Sequence, residues 1–386
     1  MVRIFVGTTQ VCVLYMIAYA RKTNQGAYKD ILVIDTPPIK NALVKVLTNT
    51  RKIYPWAEII NLSSNILPDT ADFEPNIRKK FTRKIKNTAL VKPFYNLLLN
   101  LYLKKQRLNE TKIIRNKLSI FGEISEVNIL TQTGINDALF KLYPKAIVNY
   151  FEHGQGDYFF IQNIKPLTYN FYCVFANKFR QYMKECQKEH SYIKNLSEIQ
   201  EFPVIANEVI QTDDEYRKIK LQLDIKGKLV LILMDAVQIY HVPDIFWTDY
   251  LDLCINHITN PKEYTFILKP HHRQSLKSIE ITKGYMYSRK LNTLVIENSH
   301  TSNYSVEVLY AFWENNTDYV FSIFSSGLFY ISKLYGGKKT KYYYAYDFFK
   351  KYINNAPPQF LSYFLDLEEL LDNVFSENCV DISGIN

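Results

Sequence analysis

Cysteine is scarce in this chain of 386 residues. The five present (Cys12, Cys173, Cys186, Cys254 and Cys379) are odd in number and widely spaced, and no C-x-x-C pair occurs. Neither a disulfide framework nor a zinc knuckle is expected, and a reducing, cytoplasmic compartment fits. Glycine (12) and proline (14) are few, which excludes fibrous and linker-rich classes. Beyond the N-terminal segment no unbroken apolar run reaches the length of a membrane span. No Asp-x-Asp metal motif stands out, no internal repeat is visible, and Asp213-Asp214-Glu215 reads as a helix start.

Apolar residues are plentiful. They make up 47% of the chain, with 30 Tyr and 24 Phe, so disorder is excluded and there is material for two cores. At roughly 150 residues per domain the length also predicts two domains. Net charge is +9, but residues 78–117 hold 13 Lys/Arg against one acid, Glu110. That segment carries +12 and the remainder of the chain −3. Residues 3–20 have the basic start, apolar stretch and Ala-x-Ala ending of a signal peptide, but Gly7-Thr8-Thr9-Gln10 breaks the run. Strand (3–7), polar turn and helix (9–21) is the better reading.

The chain then alternates between β and α. Strands are predicted at Ile31–Asp35, Glu58–Leu62, Glu126–Leu130 and Ala146–Phe151, with helices at Pro38–Thr50 and Ile135–Leu142. A helical stretch is predicted from about Leu167 to Tyr192, and residues 193–206 read as an interdomain connection. The second half has strands at Leu229–Met234, Tyr264–Leu268, Thr293–Ile296, Tyr319–Phe324 and, as the last, Lys341–Tyr344. Its helices are Asp244–His257, Ser305–Trp313, Leu328–Tyr335 and 359–376. The expected fold is α/β, with two facing Rossmann-like domains and an interdomain cleft. Residues 1–200 form the first, with a basic helical insertion at 75–120. Residues 201–386 form the second, its last helix packing back on the first domain.

Ligands in open α/β sheets bind beyond the carboxyl ends of strands, and three polar clusters fall there. Ser325-Ser326-Gly327 opens a helix: it is either a plain N-cap or a phosphate site made of free N–H groups and two hydroxyls. Lys269-Pro270-His271-His272-Arg273 is either a solvated basic turn or the contact to a nucleotide leaving group. Glu152-His153-Gly154 either caps its own turn or presents a general base.

In order and spacing these clusters resemble the motifs of the bacterial GT-B sialyltransferases, the group of capsular polysialyltransferases and lipooligosaccharide sialyltransferases, over about residues 1–350. Those motifs are an acid-acid-Gly turn, a Lys-x-His-Pro turn and a Ser-Ser/Thr pair. Ser305-Val306-Glu307-Val308-Leu309 resembles a further segment of the group. The resemblance implies that Glu152 is the general base and His271 the general acid at the leaving phosphate. Lys269, Ser325, Ser326 and Gly327 would then bind CMP, and Glu307 its ribose. His153 stands where the group has a second acid, and His272 where it has Pro.

The implied activity is inverting, metal-independent transfer of sialic acid from CMP-sialic acid to capsular polysialic acid or lipooligosaccharide, with no cofactor. Another CMP-activated ulosonate (Kdo or pseudaminic acid) and a non-catalytic polyanion-binding capsule protein are the alternatives. The basic segment, with Lys79, Lys80, Arg83 and Lys84, is expected to draw a polyanionic acceptor. Docking on the inner membrane or the capsule complex is one alternative role for it, and a plain solvated Lys-rich face another. Nucleic acid is not expected, because no recognition motif accompanies the charge.

Overall fold

The computed structural model describes residues 1–35, 41–62, 111–130, 135–162, 169–196, 201–214, 216, 225–271, 274–296, 304–336, 339–353 and 360–383. The basic segment lies outside these residues up to position 110, and Lys79, Lys80, Arg83, Lys84, His272 and Arg273 lie outside them too. The chain divides into two compact units. One is Met1–His153 with Asn163–Tyr172; the other is Gly154–Gln162 with Cys173–Asn386.

The first sheet holds β1 (Val2–Gly7), β2 (Lys29–Ile34), β3 (Glu58–Asn61), β4 (Ile124–Leu130), β5 (Ile147–Phe151), β6 (Tyr169–Cys173) and β7 (Ile193–Asn195). Their spatial order is β3-β2-β1-β4-β5-β6-β7, and the pairings from β3 to β6 are parallel. Helix α1 (Gln10–Thr23) is buried along Gln10–Ala20, which is why that stretch is apolar all round. The expected strand–turn–helix is present, and Gly7 closes its turn, where an added Cβ would run into Val13. Helices α2 (Asn41–Asn49) and α3 (Asn136–Leu142) continue the alternation.

One stretch departs from expectation. Where a helix was predicted from Leu167, β6 occupies Tyr169–Cys173, because Tyr169, Phe171 and Cys173 point inward and alternate with the half-buried Asn170 and Tyr172. The register also lines up three asparagines. Asn170 Nδ2 donates to Asn149 Oδ1 (2.8 Å) and Asn149 Nδ2 to Asn128 Oδ1 (3.0 Å), a ladder that a shift by one residue would break. The expected connection at 193–206 contains β7 and the start of a helix.

The second sheet runs β10 (Asn292–Val295), β9 (Tyr264–Pro270), β8 (Lys228–Met234), β11 (Thr317–Ser322), β12 (Lys341–Tyr344), β13 (Cys379–Asp381), all parallel. Lys341–Tyr344 is therefore not the last strand; Cys379–Asp381 adds an edge beyond it, too short to leave a sequence pattern. Helices α4 (Gly156–Gln162), α5 (Ala176–Glu185), α6 (Phe202–Thr212), α7 (Ile245–Asn256), α8 (Leu276–Ser288), α9 (Val306–Leu309), α10 (Ser326–Leu334), α11 (Tyr346–Lys350) and α12 (Leu361–Leu370) belong to this unit. Phe375, in the π-helical turn after α12, packs edge-on against Tyr158 of α4 (4.9 Å between centroids) and Phe175 (5.3 Å). These contacts tie Gly154–Gln162 to the C-terminal half of the chain. Among the described residues no helix is long and apolar enough to cross a membrane.

Candidate functional site

In the second sheet the strand order reverses between β8 and β11, the place where an open α/β sheet leaves a crevice at its carboxyl edge. Asp235 follows β8 directly. Its Oδ2 accepts from Ser322 Oγ (2.9 Å), Ile323 N (2.9 Å) and Phe324 N (3.2 Å) across that gap. Ser322 Oγ in turn accepts from Ser325 N (2.8 Å), and Ser325 Oγ caps α10 by accepting from Gly327 N (3.3 Å). One buried carboxylate thus fixes the loop that aims the α10 N-terminus. Burial pushes the Asp235 carboxyl up to about 6, although its hydrogen bonds act in the opposite sense. The Ser326 hydroxyl makes no hydrogen bond among the described residues.

Gly327 has a steric cause. A Cβ there would sit 2.6 Å from Val306 Cγ1 and 3.6 Å from Leu233 Cδ1. Val306 is β-branched and opens α9, so it has little room to give. We expect Gly327→Ala to force α9 and α10 apart, costing about 1–3 kcal/mol of stability. A thermal melt checks it; an unchanged melting temperature would mean that the contact relaxes freely.

Val306 adjoins Glu307, a buried carboxylate whose backbone carbonyl accepts from Tyr335 Oη (2.6 Å). Burial raises the Glu307 carboxyl, with the charge of Lys269 among the opposing influences. Lys269 is paired in register with Leu233 and is 9% exposed. Burial lowers its ammonium to about 8, with the nearby Glu307 acting in the opposite direction. Next along the chain, His271 N donates to Met234 O (2.9 Å) and its carbonyl accepts from Gln274 N (2.8 Å).

A pocket of about 270 Å³ opens at this edge. Among its walls are His271, Ser325, Ser326, Asp235, Tyr240 and Gln155. Three residues singled out from sequence therefore share one cavity, with Lys269 and Glu307 buried as a second pair within electrostatic reach of each other. Gly154 belongs to the same unit, and a Cβ on it would lie 4.0 Å from Ser326 Oγ.

Glu152 and His153 belong to the other unit. Glu152 follows β5 and is fully buried; its N–H donates to Tyr172 O (3.1 Å), and its carbonyl accepts from the Cys12 thiol (3.7 Å). Sequence reasoning missed Asp235, whose only signal was an acid directly after the most apolar strand. It also passed over Gln155, which lies inside a quoted turn. Among the described residues no group of three or more His, Cys, Asp or Glu side chains is placed to hold a metal ion.

No family model matches the chain, and no curated protein matches its sequence. Solved structures do match in fold. The UDP-GlcNAc 2-epimerase of Methanocaldococcus jannaschii superposes with a TM-score of 0.54 at 10% identity, over 90% of this chain and 84% of that one. The same enzyme in complex with UDP-GlcNAc and UDP gives 0.51 at 11% identity, over 98% and 88%. The Neisseria meningitidis UDP-GlcNAc 2-epimerase bound to UDP-GlcNAc gives 0.51 at 11% identity, over 85% and 79%. The chain has a glycosyltransferase-like GT-B fold, built from two parallel-sheet α/β units.

Proposed function

We propose that the chain is an inverting, metal-independent glycosyltransferase. It moves sialic acid from CMP-sialic acid to a bacterial surface glycan, capsular polysialic acid or lipooligosaccharide. The observation that carries this reading is that His271 and the Ser325–Ser326 start of α10 wall one pocket at the strand-order reversal. Free N–H groups and hydroxyls at a nine-residue helix suit a phosphate. Lys269 adds a cation beside them, and Glu307 supplies an acceptor for ribose hydroxyls.

In the reaction the acceptor hydroxyl gives its proton to Glu152 as its oxygen bonds to the anomeric carbon. The bond from that carbon to the phosphate oxygen breaks, and CMP leaves with the electron pair. His271 donates a hydrogen bond or a proton to that oxygen. The transition state is oxocarbenium-like, so most of the task is charge neutralisation at the phosphate. The +12 of residues 78–117 supports a polyanionic acceptor, and cytoplasmic action, peripheral to the inner membrane, goes with that reading.

Calorimetry with CMP tests the proposal. Wild type should bind in the micromolar to millimolar range, and Ser325→Ala with Ser326→Ala should weaken binding by about 1–3 kcal/mol. Affinity should also fall as pH rises past about 8, because Lys269 is protonated below that value and neutral above it. Absence of CMP binding by the folded wild type would leave the non-catalytic, polyanion-binding capsule protein as the better reading.

A further inference from the structure

Gln155 is 6% exposed and lines the pocket, yet its Nε2 is buried without a hydrogen-bond partner. Its Oε1 makes no hydrogen bond among the described residues either, so nothing in the protein fixes which end of the amide faces inward. Buried polar side chains are nearly always paired, and an unpaired one lining a cavity points to a ligand that completes it.

The place of this amide along the donor follows from its neighbours. The phosphate is assigned to Ser325, Ser326 and His271. The ribose is assigned to Glu307, which is not part of this pocket's wall. The remaining walls then face the transferred sugar. They are Gln155, the carboxyl of Asp235, and the rings of Tyr240 and Phe324, both more than nine-tenths buried with centroids 6.4 Å apart.

These walls are selective in their chemistry. A sugar carboxylate would meet the charge of Asp235. A lone hydroxyl would leave the apolar rings unmatched. An acylamino group satisfies all three features: its carbonyl accepts from Gln155 Nε2, its N–H donates to Asp235 or to Gln155 Oε1, and its methyl lies on the rings. We infer that this pocket holds an N-acylamino substituent of the transferred sugar, and that Gln155 is the residue by which donors with and without that group are told apart. The inference rests on the CMP-donor reading above and narrows it to an N-acylated ulosonate.

The test compares CMP-linked N-acetylneuraminic acid with the CMP-linked nonulosonate that has a hydroxyl in place of the acetamido group. kcat/KM is measured for both donors with wild type, Gln155→Leu and Gln155→Ala, alongside CMP affinity by calorimetry and a thermal melt. Wild type should favour the acetamido donor by about tenfold or more, since a site built around a hydrogen-bonding group rejects the analogue lacking it. In Gln155→Leu the preference should shrink to within about threefold through loss on the acetamido donor. CMP affinity should hold, and the melting temperature should not fall, because leucine removes an unpaired buried donor. A preference kept by both variants, or no preference in wild type, overturns the assignment. So does a parallel loss of CMP affinity, which would put the amide on the phosphate. A wild type that binds no CMP shows up before any variant is made and overturns the donor reading itself, and this inference with it.

Discussion

Glu152→Gln is expected to slow transfer by about 10²–10⁴-fold, the usual worth of a general base. Glutamine keeps the size and most of the hydrogen bonding of glutamate but cannot take up the acceptor's proton. The backbone at this position is held independently of the side chain, by the bond from Glu152 N–H to Tyr172 O and by the Cys12 thiol on the Glu152 carbonyl. The strand end should therefore survive the change. CMP affinity should be unaltered, because Glu152 belongs to the unit that does not contain the serine pocket. Initial rates of CMP release in the presence of acceptor, with a melt and CMP titration on the same sample, check all three expectations. Near-wild-type transfer by the folded variant would assign the proton to another group.

The β/α alternation was legible wherever a buried strand is a continuous apolar run. Leu229–Met234 and Ile31–Ile34 announce themselves this way, and the structure finds them at or next to the strand-order reversals of their sheets. What was not legible has physical reasons. Tyr169–Cys173 carries aromatic residues at both its buried and its half-buried positions, so composition concealed its period of two. The strand Cys379–Asp381 is three residues long and is defined by its partner rather than by its own pattern. Helix α8 had no assignment from sequence: Leu276 and Tyr287 are exposed apolar residues within it, and Gly284 interrupts it, which blurs any amphipathic stripe.

The site was legible in its strand-end clusters and not in what supports them. Ser325 and Ser326 could be read because a serine pair before an apolar helix is a local signal. Asp235 could not, because its purpose is to hold Ile323 and Phe324 some 88 residues further along the chain, and that pairing exists only once β8 and β11 lie side by side. Gly327 is similar: its need for a bare Cα arises from Val306, which a contact map shows and a motif does not.

His271→Ala should be far more damaging than His272→Ala, with transfer falling by about 10²-fold or more for the first and only a few-fold for the second. His271 is fixed at the carboxyl end of β9 by its own backbone, through Met234 O and Gln274 N, so alanine should keep the turn and remove only the imidazole. The imidazole belongs to a wall of the pocket that Ser325 and Ser326 also line. There it can give a hydrogen bond or a proton to the departing phosphate oxygen, an interaction that strengthens as negative charge builds there in the transition state. The loss should accordingly appear in kcat, with CMP affinity changed much less. His272 stands at the position where the resembled sialyltransferases carry proline, which has no proton to give. Its replacement should leave the leaving-group contact intact. Single-turnover rates for the two variants at saturating donor decide the matter. The reverse order of severity would move the leaving-group contact to His272 and shift the register of the turn by one residue.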